Sequence, residues 1–183
     1  MRLNRTLVRT SVIAAVLAVV AGLMAGSASA EPLPAKRVIN DPYEPSKAYD
    51  IIRTVIKAQP AGGDWAMVRV LHNRAVQPGD SIDFWFNLDA DPEPDVHLVG
   101  DAFSEHNAYL TDNFLEDGKN INRRDCFRLR MVDQRSIVRF NPDCLGVSEK
   151  YAVSIKSSRS DTDEGADYVR APGKYTKSVL SHA

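Results

Sequence analysis

The stretch NLDADPEPDVHLVG, residues 87–100, puts Asp89, Asp91, Glu93 and Asp95 into seven positions directly after an alternating apolar run. If the segment stays extended, the four side chains share one face, and converging carboxylate oxygens are what calcium requires. An EF-hand loop would place glycine sixth and glutamate twelfth; counted from Asp89, those positions hold Pro94 and Gly100. Pro92 and Pro94 stiffen the segment, so the competing expectation is a solvated acidic turn that keeps a strand end soluble. Acid and base work by a carboxylate pair would need an apolar wall to raise one pKa, and the neighbouring sequence offers none. The cofactor expectation is therefore none, apart from a structural calcium at this turn.

Just upstream, Asp83, Trp85 and Asn87 alternate with Ile82, Phe84 and Phe86. An aromatic platform between an acid and an amide suits a stacked, hydrogen-bonded sugar ring. The competing reading packs Trp85 beneath a loop or against a second sheet. The histidines, His72, His97, His106 and His182, show no pair at the short spacing that zinc favours. Met67 and His72 could serve a haem iron only from within an ordinary strand pattern. No G-x-S-x-G and no glycine-rich phosphate loop occurs. With no catalytic motif, the expectation is a non-enzymatic protein.

The elements that must position these residues are strands. DIIRTVIKA, WAMVRVLH, SIDFWFNL, DVHLVG, CFRLRMV, SIVRF and YAVSIKS are short runs rich in branched and aromatic residues, most of them parted by Pro, Gly, Asn and Asp signals. In SIDFWFNL, CFRLRMV and YAVSIKS apolar and polar residues alternate with a period of two, as half-buried antiparallel strands do. The expected fold is all-β: an antiparallel β-sandwich, jelly-roll or immunoglobulin-like, of about seven to nine strands. Cys126 and Cys144 flank a predicted hairpin around Asp133, Gln134 and Arg135, so a disulfide between them is expected. Pro142 cannot donate in a ladder, which predicts an edge strand or a fraying end there.

The first thirty residues read as an export signal: Arg2, Arg5 and Arg9, an apolar stretch from Val12 to Ala25, and Ala28-Ser29-Ala30, with cleavage expected between Ala30 and Glu31. The apolar stretch is shorter than the roughly twenty residues of a spanning helix. A secreted protein is expected, with no membrane attachment after cleavage. Residues 31–48 hold Pro32, Pro34, Pro42 and Pro45 and predict a flexible leader, followed by a single domain over 49–183. Three of the 23 basic residues and none of the 24 acidic ones lie in the signal, so the remaining 153 residues carry a net charge of minus four. That balance offers no broad attraction to nucleic acid.

The order DII-x-TVIKA, MVRVLH, FWFNLDADPEPD and a cysteine pair ending in CLG resembles a family of exported actinobacterial β-sandwich proteins of uncharacterised function. More remotely, a strand ending in LDAD-x-EPD is similar to family nine carbohydrate-binding modules and DOMON-type sandwiches. The resemblance implies a β-sandwich and a non-catalytic role. The functional expectation is a secreted binding or cell-envelope interaction module, with a glycan or envelope component as partner. Its alternative is a carbohydrate-binding module with a calcium-stabilised turn, and a hydrolase ranks below both.

Overall fold

The computed structural model describes residues 32–89, 91–147, 149–159 and 165–183. The expected signal and its cleavage point at Ala30 and Glu31 lie outside the described residues. The chain divides into two compact units, Met1–Pro32 and Leu33–Ala183, and everything below concerns the second. Among the described residues no helix is long and apolar enough to cross a membrane.

Among the described residues eleven strands form two antiparallel sheets: β1 (Lys36–Asn40), β2 (Ile51–Lys57), β3 (Ala66–His72), β4 (Asp80–Asn87), β5 (Val96–Asp101), β6 (His106–Leu110), β7 (Phe127–Val132), β8 (Arg135–Phe140), β9 (Lys150–Arg159), β10 (Asp167–Tyr168) and β11 (Val179–Leu180). One sheet runs β1-β2-β3-β8-β7; the other runs β10-β9-β4-β5-β6, with β11 also paired to β9. The seven runs picked out by period and composition are all strands. β2 pairs with strands on both sides, β1 and β3.

The expected flexible leader is corrected by β1. Four prolines dominate the composition of residues 31–48, but KRVIN between them keeps strand alternation and adds an edge strand to β2. Ile39 packs against the core, which anchors the segment.

The two sheets face each other over one apolar core. Ile82, Phe84 and Phe86 of β4 are fully buried, and Phe86 meets Phe140 of β8 and Phe127 of β7 with ring centroids 4.9 and 5.5 Å apart. Tyr151 of β9 meets Phe140 edge-on at 4.8 Å. Each such ring contributes on the order of 2 to 3 kcal/mol by leaving water, with a further increment from favourable ring geometry. At Gly100 the sheets approach so closely that an added Cβ would lie 2.0 Å from Leu129 Cδ2.

The disulfide joins Cys126 and Cys144, with Cα atoms 5.6 Å apart. Its register differs from a symmetric hairpin. Val132 pairs with Arg135 and Phe127 with Phe140, so the turn is Asp133-Gln134 and Cys126 lies opposite Asn141. The remaining three residues are taken up by one helical turn, α1 (Pro142–Leu145), in which Pro142 starts the helix and Asn141 caps it by accepting from the Cys144 amide at 3.0 Å. Pro142 therefore marks a helix start, where its missing N–H costs nothing. It does not mark an edge, since β8 lies between β3 and β7. Closing this loop contributes about 3 kcal/mol in the chain-entropy model.

Candidate binding surfaces

Each sheet has an outer face, and the two differ in what covers them. On the outer face of the β4 sheet the register sets Trp85 between His97 of β5 and Ser154 of β9. Asp83, Trp85 and Asn87 do share this face, yet they are 8, 8 and 5 % exposed. Trp85 stacks on His97 at 4.6 Å with rings 1° from parallel, and Phe114 leans on its other side at 5.7 Å. Phe114 in turn meets Tyr175 at 5.5 Å. The chain's own segments around 111–118 and 175 thus occupy the place expected for a sugar.

The covering loop is built for its shape. Thr111 Oγ1 donates to the carbonyls of Asn113 and Glu116, both at 2.8 Å, and Asn113 Oδ1 accepts from the amides of Leu115 and Glu116 at 2.8 and 2.7 Å. Gly118 closes it, where a Cβ would lie 2.4 Å from the Leu110 carbonyl oxygen. His97 then clips the loop to the sheet: Nε2 lies 2.9 Å from Asp83 and Nδ1 2.6 Å from Asp117. Both ring nitrogens donate only in the imidazolium form. Burial pulls the His97 pKa down, but the hydrogen bonds to Asp83 and Asp117 outweigh it, and the net shift is upward.

Three carboxylates of the acidic turn each direct one oxygen to the turn's own backbone. Asp89 accepts from the Asp91 amide at 3.1 Å, Asp91 from the Glu93 amide at 3.0 Å, and Asp95 from the Leu88 amide at 2.6 Å. Asn87 crosses the turn from inside, donating to the carbonyls of Asp91 and Glu93. Asp89, Asp91 and Glu93 are exposed while Asp95 turns inward, where burial raises its pKa. A second acidic group escaped the sequence reading: Asp41, Glu44, Asp50 and Asp167 tie the 41–50 connection to β10, with Asp50 accepting from the Glu44 amide and Asp167 from the Ile51 amide. Burial, followed by the charges of Asp167, Glu44 and Asp50, pushes Asp41 up to about 6. Among the described residues no three His, Cys, Asp or Glu side chains are set to hold a metal ion.

Among the described residues nothing covers the outer face of the other sheet, and that face is cationic. Reading the register across β1, β2, β3, β8 and β7 gives three rows on that face. The first is Asn40, Arg53, Leu71, Arg135 and Val132; the second is Val38, Val55, Arg69, Ile137 and Arg130. The third is Lys36, Lys57, Met67, Arg139 and Arg128. Eight cations, six apolar residues and one asparagine share it, and no strand position there is acidic. Arg53, Arg69 and Arg135 line a hollow of about 450 Å³ together with Val55, Leu71, Gln134 and the acidic Asp133. Lys57, Arg139, Met67, Trp65 and the acidic Asp64 line another of about 420 Å³. Arg128 lies over the Trp65 ring at 4.5 Å and 3.8 Å from Asp125.

Sequence reading missed this surface because each arginine fits the polar half of a strand alternation. The recoverable signal was the recurrence of Arg or Lys on one face of a strand, two apart in β7 (Arg128, Arg130) and four apart in β2 (Arg53, Lys57) and β8 (Arg135, Arg139). Chemically, unpaired guanidinium groups in rows bind carboxylates or phosphates, often through two parallel hydrogen bonds. No family model matches the chain, and no curated protein matches it closely enough to count as a relative.

Proposed function

We propose that the protein is a secreted, non-enzymatic binding module that engages a component of the cell envelope through the outer face of the β1-β2-β3-β8-β7 sheet. One observation carries this reading: that face is left uncovered by the described residues and is hollowed beside its arginines, whereas the face bearing Trp85 is filled by the chain's own Phe114 and His97. The disulfide supports an oxidising compartment, and the early apolar stretch supports export. Absence of a catalytic motif in the sequence supports a role in binding.

The test is co-sedimentation of the mature chain, residues 31–183, with the insoluble envelope fraction of the producing cells. Replacing Arg53, Arg69 and Arg135 together by Glu is expected to reduce the bound fraction at least about tenfold, as loss of several charge contacts should. Tyr168→Ala, on the opposite outer face, is expected to leave it unchanged. Equal sedimentation of the triple variant and the parent would reject the assignment of this face.

A further inference from the structure

We infer that the ligand of this face is an acidic polysaccharide, a linear sugar polymer bearing regularly spaced anionic groups. The inference rests on the binding-module reading above and names its ligand class.

Charge placement is the first ground. Charged residues on edge strands guard against edge-to-edge pairing, which accounts for Arg128 and Arg130 on β7. It does not account for Arg53, Arg69, Arg135 and Arg139, which stand on the interior strands β2, β3 and β8. Lys36 lies directly opposite Lys57, and Arg128 directly opposite Arg139. Like charges in such cross-strand pairs are destabilising, and a sequence serving stability alone would set an acid against each. Apart from Arg128, none of these cations has an ion-pair partner among the described residues. All this occurs in a chain whose charge balance is acidic. The positive groups have been gathered on one side, where they attract and orient an anion at long range.

Geometry narrows the anion to a polymer. Arg53 and Arg135 flank Leu71 in one row, two strand spacings or roughly 10 Å apart, and successive rows lie roughly 7 Å apart along the strands. A single small anion would fill one hollow and leave the other rows uncompensated. A chain crossing the sheet from Arg53, Arg69 and Arg135 toward Lys57 and Arg139 would meet both hollows. The second hollow adds a wall that separates a sugar from other polyanions: the half-buried Trp65 ring, which carries the Arg128 guanidinium on one face and leaves only the other for a sugar, beside Lys57 and Arg139. An aromatic face receives the C–H side of a sugar ring while neighbouring cations receive its acid groups. Nucleic acid fits less well, because no strand position on this face is aromatic, so successive bases find no stacking series. A lipid surface fits less well because the apolar residues lie between the cations, with Val55 3 % exposed and only Val38, at the β1 edge, well exposed, which gives no continuous apolar face to insert.

Titration of the mature chain with oligogalacturonate, a sugar polymer with one carboxylate per residue, tests the inference. Dextran, duplex DNA, poly-glutamate and phosphatidylglycerol vesicles are run beside it. Oligogalacturonate is expected to bind and dextran not to, with affinity falling at least about tenfold between 50 and 200 mM salt. The Arg53, Arg69, Arg135→Glu variant should lose binding at least tenfold while keeping its melting point, and single Arg→Gln variants give the same ordering should the triple variant misfold. Trp65→Ala should weaken oligogalacturonate several-fold but leave poly-glutamate unchanged. Oligogalacturonate binding no better than dextran, or weaker than DNA or vesicles, overturns the inference. If envelope sedimentation then still depends on the three arginines, the binding-module reading stands and only the ligand class falls; if sedimentation is also lost or indifferent to them, both fall.

Discussion

At the scale of residues, the histidine that the sequence left among four scattered ones holds a central position. His97 stands between Asp83 of β4 and Asp117 of the covering loop, parallel to Trp85. The other charged or titratable groups near it are Lys156, opposite Asp83 on β9, and Tyr109 on β6. Its pKa is raised in the folded protein, so the imidazolium is stabilised relative to the unfolded chain. That stabilisation is fully present below the unfolded value of about 6.5 and fades as pH rises through the folded pKa. His97→Gln is therefore expected to cost about 1.5 to 3 kcal/mol at pH 6, the range for hydrogen bonds to charged groups. The deficit relative to wild type should shrink by pH 9, with denaturant melts followed by tryptophan fluorescence as the measure. A deficit constant with pH would show that the ring acts only through packing.

At the scale of elements, what was legible was whatever is written locally. Ile82, Phe84 and Phe86 alternating with Asp83, Trp85 and Asn87 announced β4 and assigned its two faces. The fate of the outer face was not legible, because Phe114 and Tyr175, which cover it, lie about thirty and ninety residues further along the chain and obey no local period. Prolines around Lys36–Asn40 hid β1 in the same way, by outweighing five alternating residues. The cysteine pairing was readable from the spacing of the two residues about a hairpin, but the one-turn helix that shifts its register depends on Asn141 capping Pro142–Leu145. Gly100 belongs to this scale too, since the sheet-to-sheet distance is fixed at that strand pair. Gly100→Ala should push Leu129 aside and lower stability by about 1 to 3 kcal/mol, as overpacking does, read as a lower denaturation midpoint at unchanged slope. A midpoint within error of wild type would mean that Leu129 repacks without strain.

At the scale of the whole molecule, the two outer faces divide the work. One is closed by the chain itself, with an aromatic stack and a clipped loop sealing the strand that first drew attention. The other assembles arginines from strands that are neighbours in space only: β3 pairs with β8, more than sixty residues later. That is why neither net charge nor any short motif revealed it; the chain is acidic overall and each strand alone looks like an ordinary amphipathic one. The most direct test is a map of backbone amide shifts as an envelope polysaccharide fraction is titrated into isotope-labelled protein spanning residues 31–183. The account predicts the largest changes at Arg53, Arg69, Leu71 and Arg135, with Trp85, His97 and Phe114 still. Changes centred on Trp85 and the 111–118 loop, with the arginine rows silent, would contradict it.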